Sequence, residues 1–319
     1  MVLGNLPAGL ADWAANLDSA PALEEDHLKV FLLAYRVEEK SPRTLQWVWE
    51  AVTDFDRFLK GQQLPRESKA IKSLHIRLYL AHLQERGLAP STRNNRYRAL
   101  HLFFKWLVGE GPIEKTPFAN ISPPRVPRTL VPIFTREHID SLLALCPPTT
   151  FLVTRDRALV FILLGTGIRL EEATRLRLGD VDLAHECVRV IGKGAKERKV
   201  YLSKVILKAL LRYMAFRKPE PEALWLSEER RPLTKRGIQQ ILRKLGRRSG
   251  VTGVRVSAHT FRHTFAVNFL RAGGTLRHLQ EVLGHANMDA LEFYLRMVDN
   301  EDAMEAHKHL DPLAKMGVS

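Results

Sequence analysis

Ser257-Ala258-His259-Thr260-Phe261-Arg262-His263-Thr264-Phe265-Ala266 is the most informative run in this 319-residue chain. Phe261, Phe265 and Phe269 recur every four residues, a spacing that predicts one buried stripe on a helix over Thr260–Arg271. His259 and Arg262 stand three apart on a neighbouring face, where both side chains can converge on a single anion. Gly273-Gly274 closes this helix, and a second, Leu276–Leu283, stops at Gly284. His285 follows that stop, and Tyr294 stands nine residues further on, in a short helix predicted over Ala290–Met297.

Upstream, Gly167-Ile168-Arg169-Leu170-Glu171-Glu172 puts an arginine where a helix begins and unpaired amides favour anions. Helices are predicted over Arg155–Leu164, Glu171–Leu176 and Ile238–Leu245, and alternation predicts strands over Val188–Ile191 and Lys199–Leu202. Gly192-Lys193-Gly194 lies in the hairpin between those strands. It lacks the GxxxxGK[ST] pattern and the strand-to-helix context of a nucleotide loop. Ala223–Leu226 is expected as a third strand. His259 and His263, four apart, have zinc-ligand spacing, but Thr260 replaces the glutamate of HExxH. Two arginines, two histidines, a hairpin lysine and a tyrosine, with no carboxylate pair for Mg²⁺, suit phosphoryl transfer to a tyrosine nucleophile.

Charge organises the rest of the chain. The net charge is +14, with 49 Lys and Arg against 35 Asp and Glu. The balance is −4 over residues 1–50, +8 over 51–128 and +10 over 129–319. Two basic regions suggest a polyanionic partner, and composition alone leaves nucleic acid and an acidic lipid surface both open. Between them, residues 112–132 hold six of the 17 prolines, which predicts an extended interdomain linker. The longest apolar stretch, Ala158–Ile168, is too short to span a bilayer, and the first 18 residues lack the basic start of a secretory signal. Cys146 and Cys187 form no CxxC, so no disulfide framework or thiolate metal site is expected.

Before the prolines the pattern is helical. Leu28, Phe31, Leu32 and Tyr35 recur at helical spacing, and Ser41-Pro42 opens a second helix as N-cap and first residue. A third runs from Ser73 to Glu85. A fourth follows Pro90-Ser91, with Tyr97, Leu100, Phe104 and Leu107 as its core stripe. Its opening turns carry Arg93, Asn94, Arg96 and Arg98, residue types that suit phosphate contacts, with a solvated helix face as the plain alternative. Leu3, Leu6, Leu10, Trp13 and Leu17 form a helix-like seam in the N-terminal extension, interrupted by glycine and proline.

Together, Gly-Ile-Arg-Leu-Glu-Glu-Ala at 167–173, Gly-Lys-Gly at 192–194, His-Thr-Phe-Arg-His-Thr-Phe at 259–265, Leu-Gly-His at 283–285 and Tyr294 resemble the motifs of the tyrosine recombinases, or phage integrases. The resemblance extends over roughly residues 25–312 and is similar to Xer-type members at His309-Leu310-Asp311-Pro312. It implies a mainly α fold with a small antiparallel sheet, in a two-domain C-shaped clamp on DNA. The expected parts are an extension (1–22), a helical SAM-like core-binding domain (23–111), the linker (112–132), a catalytic domain (133–298) and a C-terminal segment (299–319) that docks on a neighbouring protomer.

By the same resemblance, Arg169 and Arg262 clamp the scissile phosphate, Tyr294 attacks phosphorus, and Lys193 protonates the leaving 5′-oxygen. His259 receives the tyrosine proton, His285 donates to the phosphate, and Glu172 buttresses Arg169 or His259. DNA contacts are expected from Arg43, Thr44, Arg93, Asn94, Arg96, Arg98, Lys105, Arg236, Arg243, Lys244 and Arg247. No cofactor and no metal is implied. The expected partners are a specific double-stranded site, a synaptic tetramer formed through self-association, and an accessory or partner recombinase, with no membrane; the expected location is cytoplasmic. Two alternatives stand beside this reading, a type IB topoisomerase and a catalytically silent DNA-binding protein.

Overall fold

The computed structural model describes residues 25–127, 131–192, 196–217, 219–284, 291 and 293–298. The expectations for residues 1–22, Lys193, His285 and residues 299–319 lie outside these. The chain divides into two compact units, 1–129 and 130–319, mainly helical with one small antiparallel sheet.

The first unit contains α1 (Glu25–Val37), α2 (Pro42–Gly61), α3 (Ser73–Glu85) and α4 (Pro90–Glu110). The Ser41 hydroxyl accepts from the Thr44 amide at 3.2 Å and Pro42 occupies the first turn, the cap arrangement the sequence predicts. Such a cap contributes about 1 kcal/mol. Phe31, Phe55, Phe103 and Phe104 are completely buried where the helices meet. Arg66 holds the buried Asp56 with two bonds, at 2.9 and 2.7 Å, so its charge is matched inside this core.

The first part of the proline-rich stretch, through Ile121, packs onto the first unit rather than running free of it. Ile113, Phe118 and Ile121 are buried in the core of the first unit. Tyr97 donates its hydroxyl to the Ile121 carbonyl at 2.6 Å, and the Asn94 amide donates to the Pro124 carbonyl at 2.8 Å. Burying each large apolar side chain contributes about 2 kcal/mol, which anchors the segment despite its prolines. Proline density identified the absence of helix and sheet here but not where the apolar residues between the prolines would pack.

The second unit is built on α6 (Phe151–Thr166), whose Ala158, Leu159, Val160, Ile162 and Leu163 are all fully buried. It lies against α8 (Lys204–Ala215) and α10 (Ala258–Arg271). A helix apolar on every side is a central one. Also in this unit are α5 (Arg136–Ala144), α7 (Leu170–Arg175), α9 (Lys235–Arg248) and α11 (Leu276–Leu283), and α5 and α8 occur where no helix was predicted. The sheet has the order β1 (Val181–Asp182), β2 (Cys187–Ile191), β3 (Glu197–Tyr201), with Val188 opposite Val200 and Ile191 opposite Glu197. The predicted strand at Ala223–Leu226 is not in it. That segment makes single bridges, Arg177 with Ala223 and Leu226 with Pro232, and buries Leu224 and Trp225. Its apolar run reflects burial rather than ladder pairing.

The predicted phenylalanine stripe divides between two cores. Phe261 belongs to the main core, whereas Phe265 and Phe269 flank a smaller cluster with Leu279, Leu283, Leu291, Tyr294 and Met297. This second cluster seats the helical residues 293–298 among side chains of α10 and α11.

Candidate active site

Gly167 ends α6 at φ 60°, a left-handed conformation. A Cβ there would lie 2.5 Å from Phe265 and 2.8 Å from Leu283, so only glycine permits this close passage. Arg169 then caps α7. The Glu172 carboxylate accepts from the Arg169 amide at 2.7 Å and from its guanidinium at 3.1 Å. Arg262, one turn into α10, is buried at 5 % exposure and donates to the Gly167 carbonyl at 2.6 Å and the Leu283 carbonyl at 2.9 Å.

Arg198 on β3 completes this cluster. It forks onto both Glu172 oxygens at 2.9 Å and donates through Nε to the Val282 carbonyl at 2.8 Å. Arg169 also donates to the carbonyls of Leu283 at 3.2 Å and Gly284 at 3.0 Å. Three guanidinium groups therefore satisfy the last carbonyls of α11, where a helix end carries partial negative charge. Sequence reading missed Arg198. A signal was available: it is in phase with buried Val200 on β3, so it faces inward and needs a carboxylate.

The electrostatics are unbalanced. Arg169, Arg198 and Arg262 surround one buried carboxylate, Glu172, which leaves an excess of two positive charges within this cluster. Burial pushes the Arg262 guanidinium down to about 10, assisted by repulsion from Arg169, yet it stays protonated at neutral pH. Burial would raise the Glu172 carboxyl. The Arg198 hydrogen bonds, the Arg169 amide and both guanidinium charges outweigh burial and hold it below the usual carboxylate range. An incoming anion meets a cluster already short of negative charge.

Tyr294 is only 4 % exposed, and its hydroxyl lies 2.8 Å from Nδ1 of His263. Burial raises the phenol above its ordinary value, against the opposing influence of Arg262 and Arg169. His263 is pushed down by burial first, then by His259 and Arg262, so its imidazole is neutral near pH 7. His259 is exposed one turn earlier, its ring centroid 6.4 Å from that of His263. The resemblance assigned the phenol proton to His259, but the structure puts His263 against the hydroxyl. Among the described residues no three His, Cys, Asp or Glu side chains are grouped to hold a metal ion.

Arg169, His259, Arg262, His263 and Tyr294 line one cleft of about 710 Å³. Its rim includes Lys235 and Arg243 of α9, and Lys235 is ion-paired with Glu171 of α7. The cleft thus brings together Arg169, His259, Arg262 and Tyr294, with Glu172 behind it. Lys193 and His285 lie outside the described residues.

The residues expected to contact DNA fall into two groups. Arg43, Arg98, Lys105, Arg236, Arg243, Lys244 and Arg247 are exposed. The others engage their own unit: Thr44 bonds Ser41 at 2.9 Å, Arg93 donates to Gln84 at 2.7 Å, and Arg96 lies 3.9 Å from Glu50. Asn94, half-buried, donates its amide to the Pro124 carbonyl at 2.8 Å.

A family model described as "Phage integrase family" matches residues 132–301, and one described as "Phage integrase, N-terminal SAM-like domain" matches residues 28–112. The chain is 34 % identical over 307 residues to tyrosine recombinase XerC of Pelotomaculum thermopropionicum, covering 91 % of this chain and 99 % of that protein. Tyrosine recombinase XerA of Thermococcus kodakarensis is 34 % identical over 223 residues, covering 69 % of this chain and 75 % of the relative. Among solved structures, XerH site-specific recombinase bound to palindromic difH aligns with a TM-score of 0.73 at 20 % identity, over 92 % of this chain and 86 % of that one. A lambda integrase dimer bound to a COC′ core site aligns at 0.69 and 15 % identity, over 84 % and 94 %. These two likenesses concern the fold.

Proposed function

The chain belongs to the phage integrase family, the tyrosine recombinases, and from that premise we propose a mechanism of site-specific DNA recombination in which Tyr294 is the nucleophile. The enzyme cleaves and rejoins DNA strands. The observation that carries the assignment is the shared cleft: a buried tyrosine hydroxyl and two arginines of an under-neutralised cluster border the same space. Attack of the phenol oxygen on phosphorus forms a 3′-phosphotyrosyl bond and breaks the bond to the 5′-oxygen. Arg169 and Arg262 hold the non-bridging oxygens and stabilise the negative charge that grows on them. Lys193 supplies the proton to the leaving oxygen, and His259 and His285 donate to the phosphate. The phosphodiester energy is retained in the covalent link, so rejoining needs no ATP.

Exposed basic residues of α4 and α9 contact the DNA backbone. Four protomers on two duplexes exchange strands through a Holliday junction, with an accessory factor or partner recombinase where the site requires one. A cytoplasmic location, with the nucleoid, is supported by the likeness to bacterial recombinases. The test is covalent adduct formation on nicked suicide duplexes without Mg²⁺, followed on denaturing gels. The wild type is expected to form an adduct and Tyr294→Phe none; an adduct that persists in the variant sinks the nucleophile assignment. Strand exchange between two labelled duplexes separates recombination from relaxation.

A further inference from the structure

The buried phenol of Tyr294 cannot attack phosphorus efficiently while it keeps its proton. Burial raises its pKa, so the phenolate is scarce at neutral pH and a local acceptor is required. The Tyr294 hydroxyl is within hydrogen-bond reach of His263 Nδ1, at 2.8 Å, with the two ring centroids 5.5 Å apart. A neutral imidazole with an unprotonated Nδ1 accepts that hydrogen bond directly.

The support for His263 is rigid. The Ser257 hydroxyl caps α10 by accepting from the Thr260 amide at 3.3 Å. Directly after His263, the Thr264 hydroxyl donates to the Thr260 carbonyl at 2.8 Å and accepts from the Phe134 amide at 3.0 Å. On the tyrosine side, Leu291, Met297 and Val298 are buried in the same small cluster as Tyr294. Acceptor and nucleophile are thus each fixed by packing, as proton transfer at hydrogen-bond distance requires.

We propose that His263 accepts the phenol proton of Tyr294 as the bond from Oη to phosphorus forms, and returns it during rejoining. This deepens the reading of Tyr294 as nucleophile and rests on it. In the forward step the O–H bond of Tyr294 breaks and an N–H bond forms on His263. The bond from Oη to phosphorus forms as the bond from phosphorus to the 5′-oxygen breaks. That oxygen takes its proton from a separate donor, Lys193 in the function proposed above. His263 becomes imidazolium and Lys193 becomes neutral, and the reverse reaction restores both. His259, exposed on the cleft, is left to contact the phosphate.

The groups facing His263 are Tyr294 from residues 293–298, and His259 and Arg262 from its own helix. The cleft further presents Arg169 and Glu171 from α7, Lys235 and Arg243 from α9, and Arg255. Glu171 is the single carboxylate in this set and is paired with Lys235, so the surroundings favour a neutral His263 until the proton arrives.

The experiment uses nicked duplexes whose site is selected from a random-sequence pool by the Tyr294→Phe variant. Single-turnover adduct formation is measured from about pH 5.5 to about 9, across the ordinary histidine range. The substrates carry an ordinary 5′-oxygen or a bridging 5′-sulfur, whose departure needs no proton. His263→Asn is expected to slow cleavage about 10²- to 10⁴-fold on both substrates, the size of a lost general base. It should also lose the wild-type fall-off at low pH, while half-site binding stays within about twofold. Lys193→Ala should be rescued by the bridging sulfur. His263→Gln is the second variant should His263→Asn fail to bind.

A His263 variant that cleaves at the wild-type rate overturns the proposal. So does one that is slow but keeps the wild-type pH profile, or one that the bridging sulfur rescues. If the wild type itself forms no adduct, the nucleophile reading fails and takes this proposal with it, an outcome distinct from those three.

Discussion

Arg198 lays its guanidinium on the carboxylate of Glu172, 26 residues away in sequence, with 2.9 Å to each oxygen. Because its Nε also holds the Val282 carbonyl, one side chain ties β3 to α7 and to the end of α11. Glu172 is 3 % exposed in its side chain and Arg198 15 %, so the pair is largely withdrawn from water. Without Arg198 the Glu172 carboxylate keeps only its bonds from Arg169, and the Val282 carbonyl loses its donor inside the fold. Arg198→Ala is therefore expected to destabilise the second unit by about 3 kcal/mol. Arg198→Lys, which keeps the charge but loses the fork, should lose less. Urea unfolding of both variants and of the double variant with Glu172→Gln measures the coupling.

The depressed Glu172 carboxyl makes a pH prediction. Its folded pKa lies below the unfolded value, so the unfolded chain binds the proton more readily. The stability it confers is fully present above the ordinary value of 4.5 and is lost as pH falls from there through the lower, folded pKa. Melting midpoints of the wild type should fall more steeply below that value than those of Glu172→Gln.

Gly167 is constrained twice, by its φ of 60° and by the 2.5 Å approach of Phe265 to a notional Cβ. Gly273, at φ 87°, has nothing within 4 Å of the same position. Gly273→Ala should lose about 1 kcal/mol, the left-handed penalty alone. Gly167→Ala should lose about 3 kcal/mol through added overpacking, and should cut cleavage as the Arg169 cap shifts. Thermal denaturation of the pair separates the two causes.

An exposed basic residue and an internally engaged polar one should behave differently on DNA. Arg247→Ala on α9 is expected to weaken binding and to reduce the slope of log K against log salt by about 1. Asn94→Ala should leave that slope unchanged. It should instead destabilise the first unit by about 1 kcal/mol, the value of its bond to the Pro124 carbonyl. Fluorescence anisotropy over a salt series, with urea melts, checks both.

By itself the sequence determined what depends on residues close along the chain. Caps such as Ser41-Pro42, the glycine stops at Gly273 and Gly284, and the antiparallel pairing of residues 187–191 with 197–201 follow from spacings of a few residues, where backbone geometry alone dictates proximity. The motif order also placed Arg169, Arg262 and Tyr294 in one family pattern. Tertiary structure decided the pairings. His263 meets Tyr294 across 31 residues, Arg198 reaches Val282 across 84, and Arg169 reaches Leu283 across 114. It also packed Ile113, Phe118 and Ile121, from the first part of the expected linker, into a core. The reason is physical. A guanidinium or an imidazole looks the same in sequence whether it faces solvent or a buried partner. Only packing selects the partner, because a buried polar group is stable only where another has been brought to meet it.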